Sequence, residues 1–134
     1  MKRALVVDDN FTNRQLLIEL LTDKFICDVA VNGLEAVEAY YYSIENESPY
    51  QLILLDIAMP EVNGFECLRL IREEEKKSGI AWGEGIPIIM VTANEAVFMT
   101  AFKEGCDDYI LKPINPFLLF EKIEKLMADR ERKV

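Results

Sequence analysis

Apolar, β-favouring runs of strand length recur at about residues 4–7, 26–31, 51–55, 86–91 and 108–111, and the intervals between them carry helical periodicity. The runs Leu52–Leu55 and Ile86–Val91 are apolar throughout instead of alternating. Strands of that kind have to be covered on both faces, so the pattern predicts an α/β fold: a five-stranded parallel sheet with helices on both sides. Five βα units use the length without remainder. This predicts one domain over residues 1–134, with an ordered core at about 3–128 and a charged tail at 129–134.

The first helix is expected from about Thr12 to Lys24, capped by Asn10 or Thr12, with Leu16, Leu17, Leu20 and Leu21 turned inward. At 100° per residue Phe11, Arg14 and Ile18 share the flank beside that stripe, either as a stripe edge against a neighbouring helix or as a patch where a partner docks. The second helix, about Leu34 to Ile44, offers Leu34, Val37, Tyr41 and Ile44 as its core positions, leaving Tyr40 and Tyr42 facing elsewhere. A third begins near Gly64 with Phe65, Leu68, Leu70 and Ile71, and its charged end Arg72–Lys77 reads as a solvated face. Ser78–Gly85 is long for a connection of this type and is expected to be the most mobile loop. The last helix shows Phe117, Leu118, Phe120, Ile123, Leu126 and Met127, with charge fraying its end from Ala128.

Composition narrows the function. A formal net charge of -9 argues against direct nucleic-acid binding, which needs Lys and Arg gathered on one face. Cys27, Cys67 and Cys106 are odd in number and without metal-ligand spacing, so they read as buried thiols in a reducing compartment. No run is long enough to insert in a membrane, and only four apolar residues separate the basic start from Asp8, too few for a signal peptide. The expected location is the cytoplasm.

The chemistry-bearing residues follow the strands. Asp8 and Asp9 come directly after the first apolar run, Asp56 after the third, Thr92 and Ala93 after the fourth, and Lys112 and Pro113 after the fifth. Open parallel sheets bind ligands outside the carboxyl ends of their strands, so these groups converge on one rim. Three carboxylates crowded there repel one another unless a cation joins them, which predicts a divalent-metal site around a reactive aspartate.

Val7-Asp8-Asp9-Asn10, Leu54-Leu55-Asp56-Ile57-Ala58-Met59-Pro60 with Asn63-Gly64, Val91-Thr92-Ala93-Asn94 and Tyr109-Ile110-Leu111-Lys112-Pro113 together resemble the receiver domain of two-component response regulators, over essentially the whole chain. The resemblance implies a flavodoxin-like (βα)5 fold with strand order 2-1-3-4-5. It implies Asp56 as phosphoacceptor, and Mg²⁺, with Mn²⁺ as substitute, held by Asp8, Asp9, Asp56 and the Ala58 backbone carbonyl. Lys112, Thr92 and the Ala93 amide would bind the phosphoryl oxygens. The Lys112-Pro113 bond is expected to be cis. Thr92 and Tyr109 would form the switch that reshapes the face of helix four, strand five and helix five.

The chain contains no histidine, so a phosphohistidine donor must be another protein, a sensor histidine kinase or a histidine phosphotransfer protein, unless a small acyl phosphate serves. It would be a phosphoacceptor assisting its own phosphotransfer and dephosphorylation, not an enzyme acting on a separate substrate. If Met1 and Val134 are natural ends, it is a stand-alone receiver that either binds a downstream protein target or relays phosphate onward to a histidine phosphotransfer protein. Val7–Arg14 with Thr92-Ala93-Asn94 resembles hybrid-kinase receivers, which favours the relay and makes Phe11 and Ile18 part of its docking surface. Phe98, Met99 and Phe102 serve either the core or a phosphorylation-dependent homodimer. A degenerate receiver acting as a phosphate-independent binding module is the main rival. A phosphatase of similar topology would carry D-x-D-x-T after the first strand, and a nucleotide or flavin carrier a Gly- or Ser/Thr-rich phosphate-cradling turn where this chain has a carboxylate pair.

Overall fold

In the computed structural model, which describes residues 2–57 and 63–132, the apolar runs become strands β1 (Lys2–Val7), β2 (Phe25–Ala30), β3 (Leu52–Asp56), β4 (Ile88–Thr92) and β5 (Asp108–Leu111). Helices α1 (Phe11–Leu21), α2 (Gly33–Glu45), α3 (Gly64–Lys77), α4 (Phe98–Lys103) and α5 (Pro116–Arg132) fill the intervals, with a 3₁₀ turn at Glu95–Val97 leading into α4. All strand pairs are parallel, in the order β2-β1-β3-β4-β5. No helix among the described residues is long and apolar enough to cross a membrane.

Successive strand residues face opposite sides, and both sides are buried. Leu5, Val7, Ile53, Leu55, Ile88 and Met90 meet Ala36, Val37, Tyr40, Leu68, Ile71 and Ala101 from α2, α3 and α4. Ala4, Val6, Leu52, Leu54, Ile89 and Val91 meet Leu17 and Leu21 of α1 and Leu119, Ile123 and Leu126 of α5. Fully burying each large aliphatic side chain is worth about 1.5–3 kcal/mol, so the sheet interior supplies most of the driving force.

Helix rotation differs from the sequence pattern in three places. In α1, Leu17 and Leu21 are buried but Leu16 is exposed. In α2, Leu34 and Ile44 are exposed while Gly33, Ala36, Val37, Tyr40 and Ser43 face inward. Tyr40 lies in the core, where burial pushes its phenol up to about 12. In α5, Leu119 is the buried partner of Ile123 and Leu126, while Phe117 and Leu118 reach solvent, and the helix continues to Arg132.

The charged end of α3 is a solvated face only in part: Glu73, Lys76 and Lys77 are exposed, whereas Arg72 and Glu75 turn inward. Glu75 is 5% exposed, and Arg72 sits between it at 2.7 Å and Asp107 at 3.0 Å. Arg130 of α5 closes the cluster at 2.5 Å from Asp107. The remaining valences go to backbone: Arg72 Nε donates to the Gly105 carbonyl, Arg130 Nε to the Gly85 carbonyl, and Ile86 N–H and Ile88 N–H donate to Glu75 and Asp107. A side chain at Gly85 would overlap the Glu75 carboxylate at 2.1 Å. The network therefore fixes the exit of the 78–85 loop to the amino ends of β4 and β5. Asp107→Ala, which leaves two part-buried guanidiniums short of a partner, is expected to cost about 2–4 kcal/mol in urea unfolding. Arg69→Ala, which removes only an exposed pair with Glu66 at 4.0 Å, should cost under about 0.5 kcal/mol.

Candidate functional site

Strand register brings the acids together. Val7 pairs with Leu55, so Asp8 and Asp56 come next to each other at the carboxyl rim. Asp8 is 1% exposed and Asp56 6%; Asp9 points into solvent. One carboxylate oxygen from each of Asp8, Asp9 and Asp56 lies within 4.8 Å of the others.

Local structure holds Asp8 rigidly. Its N–H donates to the Ala30 carbonyl at 3.1 Å, and its Oδ1 accepts from Asn10 N–H at 2.9 Å. Asn10 in turn caps α1 by accepting from Asn13 N–H. Arg14 Nη1 reaches back to the Asp8 carbonyl at 2.9 Å while its guanidinium stacks 5.7 Å from the Phe11 ring centroid. Of the flank expected on α1, Phe11 is thus 65% exposed, Ile18 is half-buried, and Arg14 is committed to the acidic loop.

Lys112 arrives from the other side of the sheet. Thr92 pairs with Leu111, and Lys112 N–H donates to the Thr92 carbonyl at 2.8 Å, extending the β4–β5 ladder by one residue. The Lys112-Pro113 bond is cis, as expected. The Lys112 ammonium stands 3.6 Å from Asp8 Oδ2 and 3.7 Å from Asp56 Oδ2. It bridges two carboxylates without closing a hydrogen bond to Asp8, whose Oδ2 is buried and accepts none among the described residues.

Thr92 ends β4, and its Oγ1 accepts from Asn94 N–H at 3.1 Å, turned along the loop; Ala93 beside it is exposed. Tyr109 of β5 is half-buried, its ring 4.7 Å from that of Phe98. Its hydroxyl donates to Glu95 at 3.3 Å, and that carboxylate raises the phenol above its usual value. Ala58, expected as a backbone ligand, lies outside the described residues, as do Met59 and Pro60 of the same motif.

The donor set fits a hard divalent cation. It is all oxygen, it is anionic, and it includes one buried oxygen without a donor. At an effective dielectric constant near 20, two carboxylates under 5 Å apart repel by about 3 kcal/mol, which a single lysine shared between them offsets only in part.

Two supporting residues were not legible as such from sequence. A Cβ on Gly64 would lie 2.6 Å from Ile57 Cα and 2.7 Å from the Asp56 carbonyl oxygen, so only glycine lets α3 start against the backbone at the end of β3. The Asn63-Gly64 pair was visible as a motif, but this close approach was not. Arg14 carried a signal of amphipathic surface, not of loop support.

The family model for the response regulator receiver domain matches residues 4–124. The chain belongs to that family. It is 41% identical over 128 residues to hybrid signal transduction histidine kinase I of Dictyostelium discoideum, covering 91% of this chain but 7% of that protein. It is 36% identical to a chemotaxis protein CheY homolog of Campylobacter jejuni, covering 94% of this chain and 92% of that one. Relatives of this receiver thus include both a segment of a long kinase and a protein of receiver length. Among solved structures, the Saccharomyces cerevisiae complex of the histidine phosphotransfer protein Ypd1 with the Ssk1 receiver domain superposes with a TM-score of 0.79 at 31% identity, covering 95% of this chain and 89% of that one.

Repulsion at the rim sets an expectation for stability. In chelator-treated buffer Asp56→Asn should raise the unfolding free energy by about 1–2 kcal/mol, and millimolar Mg²⁺ should stabilise the wild-type receiver but not the variant, read as melting temperature. Gly64→Ala should cost more than about 2 kcal/mol through the backbone overlap.

Proposed function

We propose that this receiver is a phosphoacceptor of a two-component or phosphorelay system, taking its phosphoryl group onto Asp56 from a histidine kinase or a histidine phosphotransfer protein. The observation that carries the reading is the pair of buried carboxylates sharing Lys112, with Asp8 Oδ2 left without a donor. Such a site is electrostatically incomplete, and a bound cation and phosphoryl group complete it.

Asp8, Asp9 and Asp56 are the described residues that would hold Mg²⁺ or Mn²⁺, and the ion, when bound, would neutralise charge on the phosphoryl oxygens. The Asp56 carboxylate oxygen attacks phosphorus in line; the new O–P bond forms as the P–N bond of the donor phosphohistidine breaks, and the leaving imidazole keeps its electron pair. Lys112 moves its attraction from the Asp56 carboxylate to a phosphoryl oxygen. Thr92 Oγ1, released from Asn94, and the exposed Ala93 amide supply hydrogen bonds to the others. The same arrangement lets water attack phosphorus later, so the chain assists both its own phosphorylation and its own dephosphorylation and has no separate substrate.

The output reading follows from what Thr92 leaves behind. When its hydroxyl moves toward the phosphoryl group, Tyr109 turns into the vacated space and the α4-β5-α5 face changes shape. Met99 and Phe102 are exposed on α4 while Phe98 packs on Tyr109. That face therefore carries apolar surface for a downstream protein or, after phosphorylation, a second copy. Phe11 and Ile18, with Arg14 at their base, form the side from which a protein donor would approach. The three free cysteines suit a reducing cytoplasm.

Intact-mass analysis after incubation with acetyl phosphate should show one phosphoryl adduct that requires Mg²⁺ and is lost in Asp56→Asn. Absence of an adduct both with acetyl phosphate and with donor kinases would instead favour a phosphate-independent binding module. Phe11→Ala combined with Ile18→Ala should slow transfer from a protein donor at least tenfold while leaving the acetyl phosphate rate unchanged, because only the protein donor needs that surface.

A further inference from the structure

Tyr109 is held at the surface from three sides. Its ring packs on Phe98, the Lys122 ammonium of α5 stands 4.4 Å above the ring, and its hydroxyl donates to Glu95 Oε2 at 3.3 Å. Lys122 is itself anchored, reaching Asp108 Oδ1 at 3.1 Å and the Tyr109 carbonyl. An inward turn of the ring carries the hydroxyl off Glu95. The carboxylate is therefore a contact that only the outward position enjoys, and a ligand or contact shifts a two-state equilibrium by its difference between the states.

Glu95 is also tied to Thr92. It opens the 3₁₀ turn that Asn94 caps through its side chain, which accepts from Ala96 N–H at 3.0 Å. Asn94 N–H in turn donates to Thr92 Oγ1 at 3.1 Å. Moving the Thr92 hydroxyl toward Asp56 removes the acceptor of that turn and unsettles the residue that grips the tyrosine. The path from Thr92 to Tyr109 thus runs through Asn94, which bonds to Thr92, and its chain neighbour Glu95, which bonds to Tyr109, as well as through vacated space.

We propose that Glu95 is a latch on the switch: it keeps Tyr109 outward in the unphosphorylated protein, and the withdrawal of Thr92 from Asn94 releases it. This deepens the phosphoacceptor reading and rests on it. A latch of this kind reduces the apparent affinity for anything that binds the inward state, by the factor it adds to the outward population.

Beryllium trifluoride with Mg²⁺, a noncovalent stand-in for the carboxyl phosphate, probes that state without turnover. Glu95→Ala should tighten its apparent binding about three- to fivefold relative to wild type, with Glu95→Gln in between, because a neutral acceptor bonds less strongly than a carboxylate. In a Tyr109→Phe background, which lacks the hydroxyl, both substitutions should be silent. If wild type binds and Glu95→Ala leaves the affinity unchanged, the latch is overturned while the phosphoacceptor reading stands. An equal gain in the Tyr109→Phe background overturns it too, since Glu95 would then act by its charge alone. Failure of wild type to bind beryllium trifluoride would overturn the phosphoacceptor reading, and the latch with it.

Discussion

Like charges held side by side govern this molecule. Parallel pairing of β1 with β3 places the residue after Val7 beside the residue after Leu55, so two buried carboxylates share one rim and one lysine. Neither can swing away: Asp8 is bound at its N–H, its carbonyl and Oδ1, and Asp56 is the last residue of a strand that α3 approaches through Gly64. The sheet holds charges that would separate if left to themselves.

The opposite end of the sheet obeys the reverse rule. Arg72, Glu75, Asp107 and Arg130 are two cations and two anions whose side chains are mostly withdrawn from water and whose spare donors and acceptors go to backbone at Gly85, Ile86, Ile88 and Gly105. A satisfied network of this kind resists rearrangement, because breaking any one pair strands a buried charge. It clamps α3, the 78–85 loop, the starts of β4 and β5 and the end of α5 together. The β4–β5 region is thus fixed at its amino ends.

Toward the carboxyl ends, Thr92 is joined to Asn94, Asn94 to Ala96 and Glu95 to Tyr109 by hydrogen bonds of 3.0–3.3 Å and not by a packed charge cluster. Contacts of this strength are each worth about 1 kcal/mol, comparable to the bias a two-state surface needs if one phosphoryl group is to reverse it. The exposed apolar side chains Met99 and Phe102 of α4 sit next to these contacts.

Much of this was legible in the order of residues. Apolar runs with acids, threonine or lysine at their carboxyl ends specify a parallel sheet and the rim on which those groups meet, because period and topology act along the chain. The motifs around Asp8-Asp9, Asp56, Thr92 and Lys112 marked the family. Helix rotation was not legible: Leu34, Tyr41 and Ile44 fit an inward stripe of α2 as well as Ala36, Tyr40 and Ser43 do, and only packing against the sheet chooses between them. The charged end of α3 read as a solvated face, since its partners Asp107 and Arg130 are 35 and 58 positions beyond Arg72 and no local pattern announces such pairing. Sequence alone determined which chemical groups reach the rim, because strand ends are set by local pattern. The tertiary structure alone decided which of them are buried or shared, because burial and charge pairing depend on neighbours that the chain brings together only on folding.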